Sequence, residues 1–261
     1  MTAPTREAVI DRGAIEHNVR TLRAVTGTRE FIAVVKADGY GHGAVTAARA
    51  ALAGGATRLG VADLAEALQL RAAGIDRPVV AWLHGPGADF APALAEGVEL
   101  GLATVDQLRR AAAQAGERAA VVHLKFETGL GRGGAAPADW TALLDEAARL
   151  EREGRIRVDG LFSHLSGASR DDDLAQLRVF EDAIAGAARA GLAPRIRHLA
   201  ATGAAIDIPE TRLDAVRVGL GIYGLSPFEG RSSASLGLRP AMTLRAPIAA
   251  VRRVREGHGA S

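Results

Sequence analysis

Of the 32 lysine and arginine side chains in this 261-residue sequence, only Lys36 and Lys125 are lysines. Arginine stays protonated and cannot attack a carbonyl as an amine, whereas a desolvated lysine can lose its proton and form an imine. A chain that takes its ordinary positive charge from arginine therefore marks both lysines as candidates for amine chemistry. Lys36 ends the apolar run FIAVVK and is followed at once by Gly39, Gly41 and Gly43. An apolar surround lowers a lysine's affinity for its proton, and glycines let the backbone approach a ligand closely.

Those lysines need elements to position them, and the sequence supplies an alternation. Short β-rich runs occupy residues 31–37, 58–63, 78–83, 98–103, 120–127, 158–164, 195–201 and 214–219. Between most of them lie alanine-rich amphipathic stretches such as VDQLRRAAAQAG and LAQLRVFEDAIAGAARAG, several closed by a C-terminal glycine. Alternating β and α units predict a parallel sheet, and eight of them predict an α/β fold of the (β/α)8 TIM-barrel type. Reactive groups of such barrels collect at the C-terminal ends of the strands. Lys36 ends the first run, Lys125 sits late in the fifth and His164 ends the sixth. Thr202 follows the seventh, and Arg217 lies near the end of the eighth. Five polar side chains thus converge on one rim. Pyridoxal phosphate would offer an aldehyde to the lysine and a phosphate to the glycine-spaced N–H groups of VRVGLGIYG, residues 216–224.

Composition narrows the alternatives. A formal charge of +2, with 30 acidic side chains interspersed among the basic ones, describes a solvated surface and gives no nucleic-acid footprint. No apolar run approaches the ~18 residues of a membrane helix, and the N-terminus has no hydrophobic export segment, so no membrane partner and a cytoplasmic location are expected. The absence of cysteine excludes disulfides, thiol catalysis and Cys-ligated zinc; no metal is indicated.

AVVKADGYGHG resembles the cofactor-lysine motif of the alanine racemase family. VHLKFETGLGRGG, LFSHLSGAS, RHLAATGAAI and DAVRVGLGIYGLSP resemble that family's later motifs, in order. The resemblance runs from about Glu7 to Ser261. It implies a fold-type III pyridoxal 5'-phosphate enzyme that interconverts L- and D-alanine for peptidoglycan and works as a homodimer. By the same resemblance Lys36 would carry the cofactor and exchange the D-alanine α-proton. Tyr40, Thr202, Gly219 and Leu220 would hold its phosphate, Arg217 would face the pyridine nitrogen, and His164 would orient Arg217. Arg132 would contact the substrate carboxylate, and Lys125 matches a lysine that many members carbamylate. Glu127, Ala201, Thr202 and Val218 stand where the family usually has Asp, Asn, Ser and Pro.

The resemblance also implies a domain plan: an N-terminal strand at 1–10, a cofactor-binding barrel at 11–236 and the start of a C-terminal β domain at 237–261. The family continues with a Ser-Tyr-Gly segment whose tyrosine serves the second face of the substrate across a dimer interface. The 261 residues stop before it, so this chain is expected to lack the second base and to be impaired. EAVID (7–11) and AMTLRAPIAAVRRV (241–254) are expected to be unpaired edges, lowering solubility and preventing the native dimer. A non-catalytic cofactor-binding barrel and a broad-specificity amino-acid racemase are the alternative readings. A decarboxylase of this fold is disfavoured, because such enzymes pair the pyridine nitrogen with a carboxylate where this chain has Arg217.

Overall fold

The fold was described from a computed structural model, over residues 6–258. Strand β1 (Glu7–Ile10) leads into a helix at Arg12–Thr26. Then eight parallel strands follow: β2 (Glu30–Val34), β3 (Arg58–Val61), β4 (Val79–Ala81), β5 (Glu99–Leu102), β6 (Ala120–Lys125), β7 (Ile156–Phe162), β8 (Ile196–His198) and β9 (Ala215–Val218). They form a closed barrel in sequence order, with β2 paired to both β3 and β9. Each of the eight predicted runs overlaps one of these strands, with β2 and β7 starting one and two residues earlier than predicted. Several are shorter than predicted, because their last residues leave the ladder to form the rim. Helix starts follow local chemistry: Asp11, Asp63, Thr104 and Ser169 each accept a backbone N–H of the helix they precede.

Alternation along the strands separates two cores. Phe31, Leu59, Val79, Leu100, Val122 and Val216 point outward into the layer shared with the helices. Ile32, Val80, Ile196 and Ala215 form a separate inner cluster with Trp82. Glycine makes the inner space. A Cβ on Gly60 would lie 2.3 Å from the Trp82 ring, one on Gly101 would lie 2.9 Å from Phe162, and one on Gly160 would lie 2.1 Å from His123 Nδ1. Three strands thus give up side chains so that larger ones from their neighbours can fill the barrel.

The chain after the barrel is tied back to the first helix. Buried Asn18 donates to the carbonyls of Ile222 and Arg239 and accepts the Arg239 N–H at 2.8 Å. This brings β10 (Met242–Arg245) beside β1, antiparallel, with Glu7 opposite Arg245 and Ile10 opposite Met242. The expectation that these two segments would lack partners is thereby corrected: they satisfy one edge of each other. Leu244 within the pair, and Ile248, Val251 and Val254 after it, remain exposed. The expected segment bounds at residues 1–5 and 259–261 lie outside the described residues. Among the described residues no helix is long and apolar enough to cross a membrane.

Candidate active site

The strand predicted to end at residue 37 ends at Val34, and Lys36 opens a tight turn. Ala37, Asp38, Gly39 and Tyr40 all have positive φ, at 53°, 50°, 62° and 53°. Three of the four carry a Cβ, for which this conformation costs roughly 1–2 kcal/mol per residue. Neighbouring carboxylates hold it. Glu66 accepts the N–H groups of Ala37 at 2.6 Å and Ala62 at 2.7 Å, and Asp38 accepts the N–H of Ala44 at 2.7 Å. The strained turn fixes where the Lys36 backbone starts and which way Tyr40 leaves it.

Lys36, Tyr40, Lys125, Arg132, His164, Thr202, Arg217, Gly219 and Leu220 all line one cavity of about 490 Å³ at the C-terminal rim. The nine residues to which the resemblance assigns a cofactor, substrate or catalytic role are therefore brought to one place. Val34, Trp82 and Phe162 supply apolar wall. The lining holds four basic side chains and no carboxylate, so it suits a ligand of several negative charges.

Arg217 is the fixed point of this site. Its Nη2 donates to the carbonyls of Ser163 at 2.6 Å and Leu199 at 2.9 Å, and its Nη1 to the carbonyl of His198 at 2.7 Å. Two imidazoles complete the set: His164 Nδ1 at 3.2 Å from Nη2 and His198 Nδ1 at 3.0 Å from Nη1. Burial, and then Arg132 nearby, pull the guanidinium down to about 9, still a cation at neutral pH. Burial and the Arg217 charge push His164 down to about 3, so it is a neutral acceptor there. Lys125 sits 5.9 Å from the Phe162 ring centroid, and burial with Arg132 and Arg217 lowers its pKa. Its free-amine fraction at neutral pH is correspondingly raised.

At the other end of the cavity the Gly219 N–H donates to Thr202 Oγ1 at 3.3 Å, and a Cβ on Gly219 would come within 2.5 Å of the Tyr40 hydroxyl. Gly219, Thr202 and the Tyr40 hydroxyl thus form one cradle that any larger residue at 219 would fill. Thr202 and Leu220 each begin a short helical segment, Thr202–Asp207 and Leu220–Tyr223, whose first N–H groups have no intrahelical acceptor. Tyr223 packs against Tyr40 at 5.1 Å and donates its hydroxyl to the Val34 carbonyl. Burial raises its pKa.

The loop that carries Arg132 is built around one carboxylate. Glu127 Oε1 accepts the N–H groups of Gly129 at 2.6 Å and Gly131 at 3.0 Å, and Oε2 those of Arg132 at 3.2 Å and Gly133 at 3.4 Å. Sequence reasoning noted Glu127 only as a departure from a motif, and it did not find Glu66 or His198. A carboxylate two residues before a Gly-x-Gly run is the signal that could have found Glu127; nothing local marks the other two.

Fold and site together define a (β/α)8 barrel with a lysine-bearing, anion-receiving pocket at its rim. Residues 10–227 match the family model described as alanine racemase, N-terminal domain. The chain is 49% identical over 261 residues to an alanine racemase of Thermobifida fusca, covering 98% of this chain and 69% of that one. It is 50% identical over 260 residues to one from Frankia casuarinae, covering 97% and 68%. Among solved structures, the alanine racemase of D-cycloserine-producing Streptomyces lavendulae superposes with a TM-score of 0.95 at 42% identity, over all of this chain and 70% of that one. This chain belongs to the alanine racemase family.

Proposed function

We propose that this barrel binds pyridoxal 5'-phosphate at Lys36 and acts on the α-proton of alanine. The carrying observation is the cavity itself: four basic groups, no carboxylate and a glycine cradle, around a lysine fixed by a strained turn. Those residues fit an anionic aldehyde. Bound there, the cofactor would supply an electron-withdrawing π system that makes an amino acid's α-proton acidic.

The remaining work falls to the chain. Tyr40, Thr202 and the N–H groups of Gly219 and Leu220 would hold the phosphate. Arg217 would meet the ring nitrogen with a donor, which disfavours protonation of that nitrogen and keeps the ring a modest electron sink. His164 accepts from Arg217 and holds its plane. Arg132 would take the substrate carboxylate. Lys125, as a carbamate, would set an anion beside Arg132, and its lowered pKa favours the free amine that reaction needs. Lys36 would remove and return the proton on one face of the α-carbon.

Racemisation needs a second proton-exchanging group on the opposite face. Tyr40 is taken up with the cradle, Tyr223 with the Val34 carbonyl and His164 with Arg217. With Lys125 taken up as a carbamate beside Arg132, Lys36 is the lining side chain left to carry a proton, and interconversion at this cavity alone is expected to be slow. Incubation in D2O with added cofactor tests this. The α-hydrogen of D-alanine should wash out with its configuration retained, that of L-alanine should persist, and Lys36→Ala should abolish the exchange. Rapid interconversion of both enantiomers would refute the one-sided site, and exchange that survives Lys36→Ala would refute the role of Lys36.

A further inference from the structure

A buried cation needs a counter-charge, yet among the described residues no carboxylate touches Arg217. Its partners are three carbonyls and two imidazoles. One of those imidazoles leads onward. His198 accepts from Arg217 at Nδ1, and its Nε2 lies 2.9 Å from His123 Nδ1. His123 Nε2 lies 3.0 Å from Glu99 Oε2. Both histidines are fully buried.

The end groups decide the protons. A guanidinium can only donate, so His198 Nδ1 must accept and its proton must sit on Nε2. That proton points at His123 Nδ1, which must also accept, so the His123 proton sits on Nε2 and points at Glu99. A second proton on either ring would set two donors against each other. Charge supports this: Arg58 meets both Glu99 and Asp159, and Arg157 and Arg195 also pair with Asp159. Cations already outnumber carboxylates around the chain, so neutral imidazoles avoid adding to the excess.

Packing keeps the rings in line. Phe162 stacks on His198 at 4.9 Å with planes 3° apart, and Gly160 leaves the space that His123 fills. Acceptor atoms of Glu99, His123 and Asp159 lie within 4.8 Å of one another, a spacing that would also suit a metal ion. The Arg58 guanidinium already serves there, donating to Glu99 and to Asp159 at 3.3 Å.

We propose that Glu99 is the counter-ion of Arg217, coupled to it through the neutral, one-directional chain Arg217–His198–His123–Glu99, and that Glu99 and His123 are positioning residues for Arg217. Hydrogen bonds in such a chain polarise one another, so the distant carboxylate strengthens the acceptor that Arg217 meets. The pocket then gains a fixed cation without an acid near the ligand. What this does for catalysis rests on the racemase reading; the proton arrangement does not.

Long-range 1H–15N correlation spectra of the 15N-labelled chain without added cofactor test the arrangement directly. His123 and His198 should both appear as neutral Nε2–H tautomers. An imidazolium or an Nδ1–H tautomer at either position would overturn the proposal. Glu99→Gln keeps an acceptor oxygen and removes the charge. It should move the His123 Nε2–H resonance upfield and the His198 Nε2–H resonance in the same direction by less. A His198 signal that does not move would show that the influence of Glu99 ends at His123. Neither readout depends on turnover, so failure of the D-alanine exchange assay leaves both standing.

Discussion

Glu127 shows how one side chain can hold a functional loop. Four backbone N–H groups converge on its carboxylate, and they pull its pKa below the ordinary value against the opposing effect of burial. A carboxyl group whose folded pKa is depressed stabilises the fold above its unfolded pKa, and that contribution is lost as pH falls through the folded value. Glu127→Gln should therefore flatten the acid limb of the stability curve below about pH 4.5, the ordinary value for this side chain, as thermal unfolding across pH 2–6 would show. It should also raise the KM for alanine more than it lowers kcat, because Arg132 rides on the loop. The same charge on Asp would sit one methylene shorter, so Glu127→Asp should restore the acid limb. Much at this scale was legible from the sequence: two lysines among so many arginines, and glycines beside one of them, point to chemistry before any fold is known. His198 and Glu99 were not legible, because their partners lie 19 and 24 residues away, on other strands.

At the scale of the elements, the barrel was readable because each strand is a short apolar run bounded by amphipathic helices, a local signal repeated eight times. What happens inside the barrel was not readable, because it depends on which strands are neighbours. Gly160 looks like an unremarkable strand glycine until β6 is placed beside β7, where it faces His123. Gly160→Ala should cost about 1–3 kcal/mol through overpacking, measured by urea unfolding, and should disturb the His123 signals. The Lys36 turn was misread as strand for a related reason. Its left-handed residues are held by Glu66, a helix residue some 29 positions later in the chain. Glu66→Ala should remove that support and weaken cofactor binding with little loss of global stability, as paired titration and unfolding curves would show.

At the scale of the whole molecule, the pairing of β1 with β10 leaves one edge of each strand open, with Leu244 exposed on β10 and Ile248, Val251 and Val254 exposed in the residues that follow. Open edges and exposed apolar side chains favour contact with other chains. Replacing these four with serine should lower light scattering at high protein concentration and leave cofactor binding unchanged, since none of them lines the cavity. The central claim, that the rim assembles around Lys36 as a cofactor site, is tested most directly by titrating the chain with pyridoxal 5'-phosphate and recording its visible absorbance beside Lys36→Ala. A saturable band that appears in the wild-type chain and is absent from the variant is the predicted result. An identical band in both, or none in either, would contradict it.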